Sequence, residues 1–414
     1  MDVQERFLRY AAIDTQSDES TGTHPSTEKQ FELAHLLERE LRELGFSQIT
    51  LSEHCYLTAV LPATPGLENA PALGLIAHLD TAAEASGKQV SPRVVHYTGG
   101  IVGLGHGKSL DPAVFPELET LKGTHLIVTD GSTLLGGDDK AGIAAIMSAC
   151  AALQAGALPH GKLCIGFTPD EEIGEGTRFF DLASFGADYA FTVDGGPAGE
   201  ICFQNFNAAR AIFVIHGVSV HPGSAFGTMC NAQNVAHEIA AAFPADEVPE
   251  KSCGMQGFFH RYESSGTVGE AHLSYLIRDF DETAFREKKA FCCALAERFN
   301  RQYGPGTVEL DLRDQYRNME PVIRSVPWLL EAAERAIRAA GVEPHSPPIR
   351  GGTDGAMLSF AGLPCPNLGT GDRAPHGEHE FVVLEELEKN VEILLALIRE
   401  FSSASKPEGT HGRV

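Results

Sequence analysis

Four apolar runs in this sequence end in side chains that can bind cations or move protons. His78 and Asp80 follow "LGLIA", Asp138 and Asp139 follow "LLGG", and Asp194 follows "AFTV". Between them, "FTPDEEIGEG" (167–176) sets Asp170, Glu171, Glu172 and Glu175 within six positions. A fifth segment, "PHGEHEF", adds His376 and His379. Neighbouring carboxylates repel unless a proton, a basic group or a metal ion lies between them. Imidazoles with carboxylates also form a donor set that suits zinc and related divalent ions. Singly, each segment has an ordinary explanation: a His-x-Asp turn, acids at a helix N-terminus, a solvated acidic turn, an aspartate shaping a glycine turn. Unrelated turns, however, have no reason to occur together in this order.

The elements around these residues place them where a site is expected. "ALGLIA" (72–77), "HLIVT" (125–129), "KLCIGF" (162–167) and "YAFTV" (189–193) read as strands buried on both faces, and "AGIAAIMSACAAL" (141–153) as a helix. The alternation predicts an α/β fold with a mostly parallel sheet flanked by helices. In such sheets ligands bind at the carboxyl ends of the strands, where the four sets sit. "EKQFELAHLLERELRELGF" (28–46) has the leucine spacing of a helix, capped by Gly45.

Near residue 207 the pattern changes. "ARAIFVIHG" (209–217), "EAHLSYLIRDF" (270–280) and "TVELDLRDQ" read as strands with one wet face, and "AQNVAHEIAAAF" and "EKKAFCCALAERF" as helices. This predicts a smaller α/β sandwich over 207–317, inserted into a large domain of 1–206 and 318–404, with 405–414 as a loose tail. The last helix is "LEELEKNVEILLALIREF" (384–401).

Bulk properties narrow the function. The 414 residues carry a formal net charge of −24, a field that repels phosphate backbones and anionic membranes, so neither nucleic acid nor membrane is expected as a partner. The nine cysteines are scattered without a CxxC, and the N-terminus has no signal-peptide core, which together predict a cytoplasmic protein. "GLGHGKS" (103–109) invites a phosphate-loop reading, but Val102 stands where the first glycine is required, and the match fails.

The ordered motifs "AHLDT", "LLGGDDKAG", "TPDEEIGEG", "VDGG" and "HGEHEF" resemble those of the M20 metallopeptidases. "HPGSAFGTMCNA" (221–232), "YLIRDFD" (275–281) and "IRGGTDGAMLSFAGLPCPNLGTG" (349–371) are similar to that family's tripeptide aminopeptidases. The resemblance spans about residues 5 to 400. It implies two Zn2+ ions per subunit, with Co2+ or Mn2+ as alternatives, bridged by Asp138. His78 and Asp194 would complete one site, Glu172 and His376 the other; His376 is chosen over His379 because the family's ligand stands four residues before a Glu, here Glu380. It also implies a cis peptide between Asp138 and Asp139, and Asp80 holding the far ring nitrogen of His78. Glu171 would be the general base that takes a proton from the attacking water.

In the inserted domain, which would act as a lid, His221 matches the residue that reaches the substrate carbonyl. Asn231, Arg278 and Arg350 match substrate-gripping positions, Arg350 suiting a peptide carboxylate. The implied activity is removal of the N-terminal residue from small peptides, tripeptides above all, and the same analogy leaves room for a homodimer. Two departures stand out: "GGDDKAG" where "GADDKAG" is expected, and "GDRAP" before His376 where aromatic residues are expected. The alternative is another M20 amidohydrolase (a dipeptidase, carboxypeptidase or acylase) or, in a different class, a non-catalytic metal- or peptide-binding protein.

Overall fold

The structure, a computed structural model, describes residues 1–405; apart from Ser405, the tail expected over 405–414 lies outside the described residues. The chain divides into two compact units, one of Met1–Phe203, Met319–Pro347 and the segment from Thr353 onward, the other of Gln204–Asn318 and Pro348–Gly352.

The larger unit is built on a seven-stranded sheet in the order 47–51, 57–61, 163–168, 73–78, 189–193, 367–368, 201–202. Its centre is parallel, 73–78 pairing with both 163–168 and 189–193. Strand 367–368 continues the parallel pairing beside 189–193, and antiparallel strands close both edges, so the sheet is mixed. Leu73, Leu75, Leu163, Ile165 and Phe167 face a core shared with helices Val3–Ala11, Gln30–Glu43, Gly137–Ala155, Pro327–Ala339 and Leu384–Ser403. The alternate residues Ile76, Cys164 and Ala190 face a second core with Phe185 and Leu358. Burial on both faces explains the unbroken apolar runs.

One strand departs from expectation. His125–Val128 does not join the main sheet; it lies in a four-stranded antiparallel sheet between 381–383 and 93–96. A short apolar run cannot by itself announce which sheet it will enter.

The smaller unit is an antiparallel sheet in the order 258–266, 270–279, 207–216, 308–316, with helices Ala232–Ala241 and Glu282–Tyr303. Ala209, Ala211, Phe213 and Ile215 of one strand and Leu273, Tyr275 and Ile277 of the next point into a core with Val235, Ile239, Leu295 and Phe299 of the helices. The alternation is period two, as a half-covered sheet requires.

Candidate metal centre and active site

Strands 163–168, 73–78 and 189–193 end side by side in the larger unit, delivering Glu171 and Glu172, His78, and Asp194 to one edge. Opposite them stands the start of helix Gly137–Ala155, where Asp138 and Asp139 keep non-helical dihedrals and are joined by a cis peptide bond. The helix can approach because residue 142 is glycine: a Cβ there would lie 1.8 Å from the Val193 carbonyl oxygen, next to Asp194.

Asp138 is the centre of the group. One carboxylate oxygen lies 2.8 Å from His78 Nε2, and the other lies 3.3 Å from His376 Nε2. Each imidazole also faces a second carboxylate, His78 that of Asp194 at 3.6 Å and His376 that of Glu172 at 3.0 Å. The structure therefore brings together the five ligands expected from sequence, as two imidazole–carboxylate pairs sharing one aspartate. Glu380 explains the register of the His376 loop. Its carboxylate accepts the main-chain N–H groups of Leu135 and Gly136, at 2.7 and 2.8 Å, and that of Asp138 at 3.0 Å, tying the two ligand loops together.

The charges show what this arrangement asks for. Burial, with Asp138 nearby, pushes Glu172 up to about 7 and Asp194 up to about 6. Burial opposes protonation of His78, yet Asp194, Asp138 and Asp80 outweigh it and hold the imidazole well above its ordinary value. Hydrogen bonds to Asp138 and Glu172 raise His376 to about 11. The protein groups alone thus call for positive charge among them, and Glu172 Oε1 is buried without a hydrogen-bond partner. His78, Asp138 and Glu172 form one group able to hold an ion, and His78, Asp139 and Asp194 another. Nitrogen and carboxylate donors in this number fit divalent cations.

Asp80 behaves differently from expectation. The far nitrogen of His78, Nδ1, meets the Asp80 main-chain carbonyl at 3.0 Å, while the carboxylate is at 3.5 Å. That carboxylate instead accepts the main-chain N–H groups of Glu171, at 3.0 Å, and Glu172, at 3.2 Å. The main-chain oxygen fixes the imidazole tautomer, which frees the acid to hold the turn that bears both glutamates. Glu171 is pushed well above the usual carboxylate range, first by burial and then by Asp194, Asp354 and Glu172.

Sequence reasoning left three acids without a role. Asp139 is buried, and its carboxylate accepts the main-chain N–H groups of His78 (3.1 Å) and Gly142 (3.2 Å), joining strand end to helix start. Asp354 accepts from the Thr168 hydroxyl at 2.8 Å, and burial raises it to about 7. Asp170 is buried in a network described below. Adjacency to an expected ligand was the only signal for Asp139, and adjacency to Glu171 the only one for Asp170; Asp354 had none beyond its glycine-rich surroundings.

The four expected substrate residues belong to the smaller unit. His221 is exposed, and its Nδ1 accepts the Gly223 main-chain N–H at 3.1 Å, which leaves the ring proton on Nε2. Asn231 Oδ1 accepts from Gln233 N and caps helix Ala232–Ala241. Arg278 is buried, donating to the carbonyls of Ala209 and Ile277 and to Gln315. Arg350 lies over the Phe206 and Phe258 rings, with Nη1 donating to Gly254 O (2.6 Å) and Gln256 O (3.1 Å) and Nη2 to Ser252 Oγ (2.8 Å). The departure "GDRAP" resolves into an ion pair: Arg373 Nη2 meets both Glu386 carboxylate oxygens at 2.9 Å.

Comparison with known proteins fits this geometry. Residues 128–400 match the model of peptidase family M20/M25/M40. Peptidase T of Vibrio parahaemolyticus is 48% identical over 396 residues, 95% of this chain and 97% of its own. Among solved structures, aminopeptidase PepT of Bacillus cereus superposes with a TM-score of 0.76 at 22% identity, covering 97% of this chain and 98% of its own. A tripeptidase of Staphylococcus aureus gives 0.75 at 20% identity with the same coverage.

Proposed function

The chain belongs to peptidase family M20/M25/M40, and we propose that it is an aminopeptidase of tripeptides whose metal-dependent chemistry is carried out by the acids and imidazoles gathered around Asp138. The observation that supports this most is the placement of one aspartate between two imidazoles, each with its own second carboxylate. In this reading Asp138 would be shared by two zinc ions, with His78 and Asp194 as further ligands of one and Glu172 and His376 of the other. Bound there, divalent cations supply a water of lowered pKa and positive charge against the developing oxyanion.

Glu171 does the proton work. A carboxylate raised by burial and by neighbouring acids has the basicity to take the water's proton as it attacks the scissile carbonyl, and to pass it to the leaving amine. Asp80 keeps that carboxylate in place through the two main-chain N–H groups. His221, with its proton on Nε2, offers a hydrogen bond to the carbonyl oxygen, a bond that strengthens as charge builds there. Arg350, Asn231 and Arg278 grip the peptide, Arg350 at its carboxylate.

The reading also takes the protein to work in the cytoplasm. All nine cysteines are free thiols, and no described helix is long and apolar enough to cross a membrane. The test is a panel of di-, tri- and tetrapeptides with free or blocked termini, assayed with zinc and with chelator. Unblocked tripeptides should be cleaved fastest, releasing the N-terminal residue, and chelator should stop turnover. Chelator-insensitive cleavage, or preference for a blocked N-terminus, would overturn the reading.

A further inference from the structure

Asp170 has no place in the chemistry above, yet it is fully buried and immediately precedes Glu171. Three donors from the N-terminal segment converge on its carboxylate, and an imidazole stands beside it. The Ser26 main-chain N–H reaches one oxygen at 2.7 Å, and the Ser26 hydroxyl reaches the other at 2.5 Å. The Gln30 amide donates at 2.7 Å and accepts in return from the Asp170 main-chain N–H at 3.3 Å. His24 Nδ1 lies 3.1 Å from the carboxylate.

From His24 a line of hydrogen bonds continues outward. Phe179 N–H donates to the Tyr56 oxygen at 3.2 Å, and Tyr56 lies 2.9 Å from His24 Nε2. With Nδ1 facing an acceptor-only carboxylate, a neutral His24 carries its proton on Nδ1 and accepts the Tyr56 hydroxyl proton on Nε2, while Nδ1 itself is buried beside Asp170 and makes no hydrogen bond. Asp170 itself adopts φ +57°, a left-handed conformation that non-glycine residues hold only where their surroundings over-determine it. Its main-chain carbonyl accepts Glu175 N–H at 3.0 Å, closing the turn on the far side.

We infer that Asp170 is a positioning residue for Glu171, and that His24, Ser26 and Gln30 make the N-terminal segment a working part of the active site. The inference rests on the reading of Glu171 as the base. Two carboxylates then hold one turn from opposite sides: Asp80 through the N–H groups of Glu171 and Glu172, Asp170 through the segment 24–30. A displacement of the base by about 1 Å is enough to cost on the order of 10²-fold in rate.

Two variants each remove a single contact to Asp170 without opening a large cavity. Ser26→Ala deletes the hydroxyl and keeps the main-chain bond. His24→Phe deletes Nδ1 and keeps a ring against Phe179, at 5.0 Å, and Tyr56, at 5.6 Å. In each, kcat on an unblocked tripeptide should fall about tenfold, with KM within about twofold and metal content unchanged. Ser26→Thr, which retains the hydroxyl, should keep most of the wild-type kcat. Wild-type kcat in both deletion variants would overturn the inference, as would a loss that tracks missing metal and is restored by adding it, since that would place the effect on Glu172. Glu171→Gln in parallel separates the two readings. If that variant still turns over, the assignment of the base fails; if it is inactive while Ser26→Ala and His24→Phe are unaffected, only the role of Asp170 fails.

Discussion

The Glu171 main-chain N–H donates to the Asp80 carboxylate across 3.0 Å, joining the proposed base directly to the acid two residues beyond the proposed ligand His78. In sequence the two lie ninety-one positions apart. The bond exists because the strands that carry them are neighbours and parallel, so both turns leave the sheet at the same edge.

Asp80→Asn tests this bond. An amide keeps the size but presents an N–H2 group to one of the two main-chain donors, leaving that donor opposed. The expected outcome is a kcat lower by about 10²-fold with KM little changed, because the turn carrying Glu171 loosens while the substrate grip does not. Steady-state kinetics on one tripeptide, with metal content measured alongside, decides it. A variant that loses the metal bound by His78 and keeps its kcat per occupied site would show instead that Asp80 serves His78.

Asp138→Asn addresses the bridge. Ions that bind only the folded protein stabilise it in proportion to the logarithm of their concentration over Kd. Wild-type protein should therefore melt several degrees lower after chelation, and zinc should restore it. In Asp138→Asn, which loses one charged bridge oxygen, the zinc-dependent shift should largely vanish, and turnover with it. Differential scanning calorimetry with and without chelator gives the answer, and an undiminished shift would remove Asp138 from the centre.

How much of this was readable beforehand depends on the interaction concerned. The gathering of His78, Asp138, Glu172, Asp194 and His376 was legible because each follows an apolar run or a motif, and strand ends in α/β sheets converge by topology. The antiparallel placement of 125–128 was not, since the run looks the same in any buried sheet. Asp80 was found, but its main bond was misjudged: a side chain and its own carbonyl compete for one imidazole, and sequence does not say which wins. Asp170 could not be interpreted because its three donors and the imidazole beside it come from residues 24–30, far back in the chain and with no patterned signal.

Arg350→Lys separates substrate grip from catalysis. A guanidinium can serve the carbonyls of Gly254 and Gln256 and the Ser252 hydroxyl while still presenting an N–H edge, whereas an ammonium is a point charge with three donors. KM for unblocked tripeptides should rise by about tenfold or more, with kcat and metal content close to wild type. Amidating the substrate's C-terminus should penalise the wild type but add little in the variant, as for two changes that remove the same interaction. Equal penalties in both proteins would discard the contact.

His24 gives the pH prediction. Burial lowers its pKa below the ordinary 6.5, with the neighbouring Asp170 carboxylate only partly opposing that. The folded protein therefore binds the proton less readily than the unfolded chain does, and stability falls as pH drops below about 6.5 toward the depressed folded-state value. Above about 6.5 both states hold the imidazole neutral, and this residue contributes no slope. Protonation also breaks the polarity of the line, because Nε2–H can no longer accept from the Tyr56 hydroxyl. In melting curves of the metal-loaded protein between pH 7.5 and pH 5, as trial conditions of roughly the range over which histidine titrates, His24→Phe should show a shallower fall than wild type. Identical slopes would mean that the acid sensitivity comes from other groups and that His24 is not neutral at the turn that carries the base.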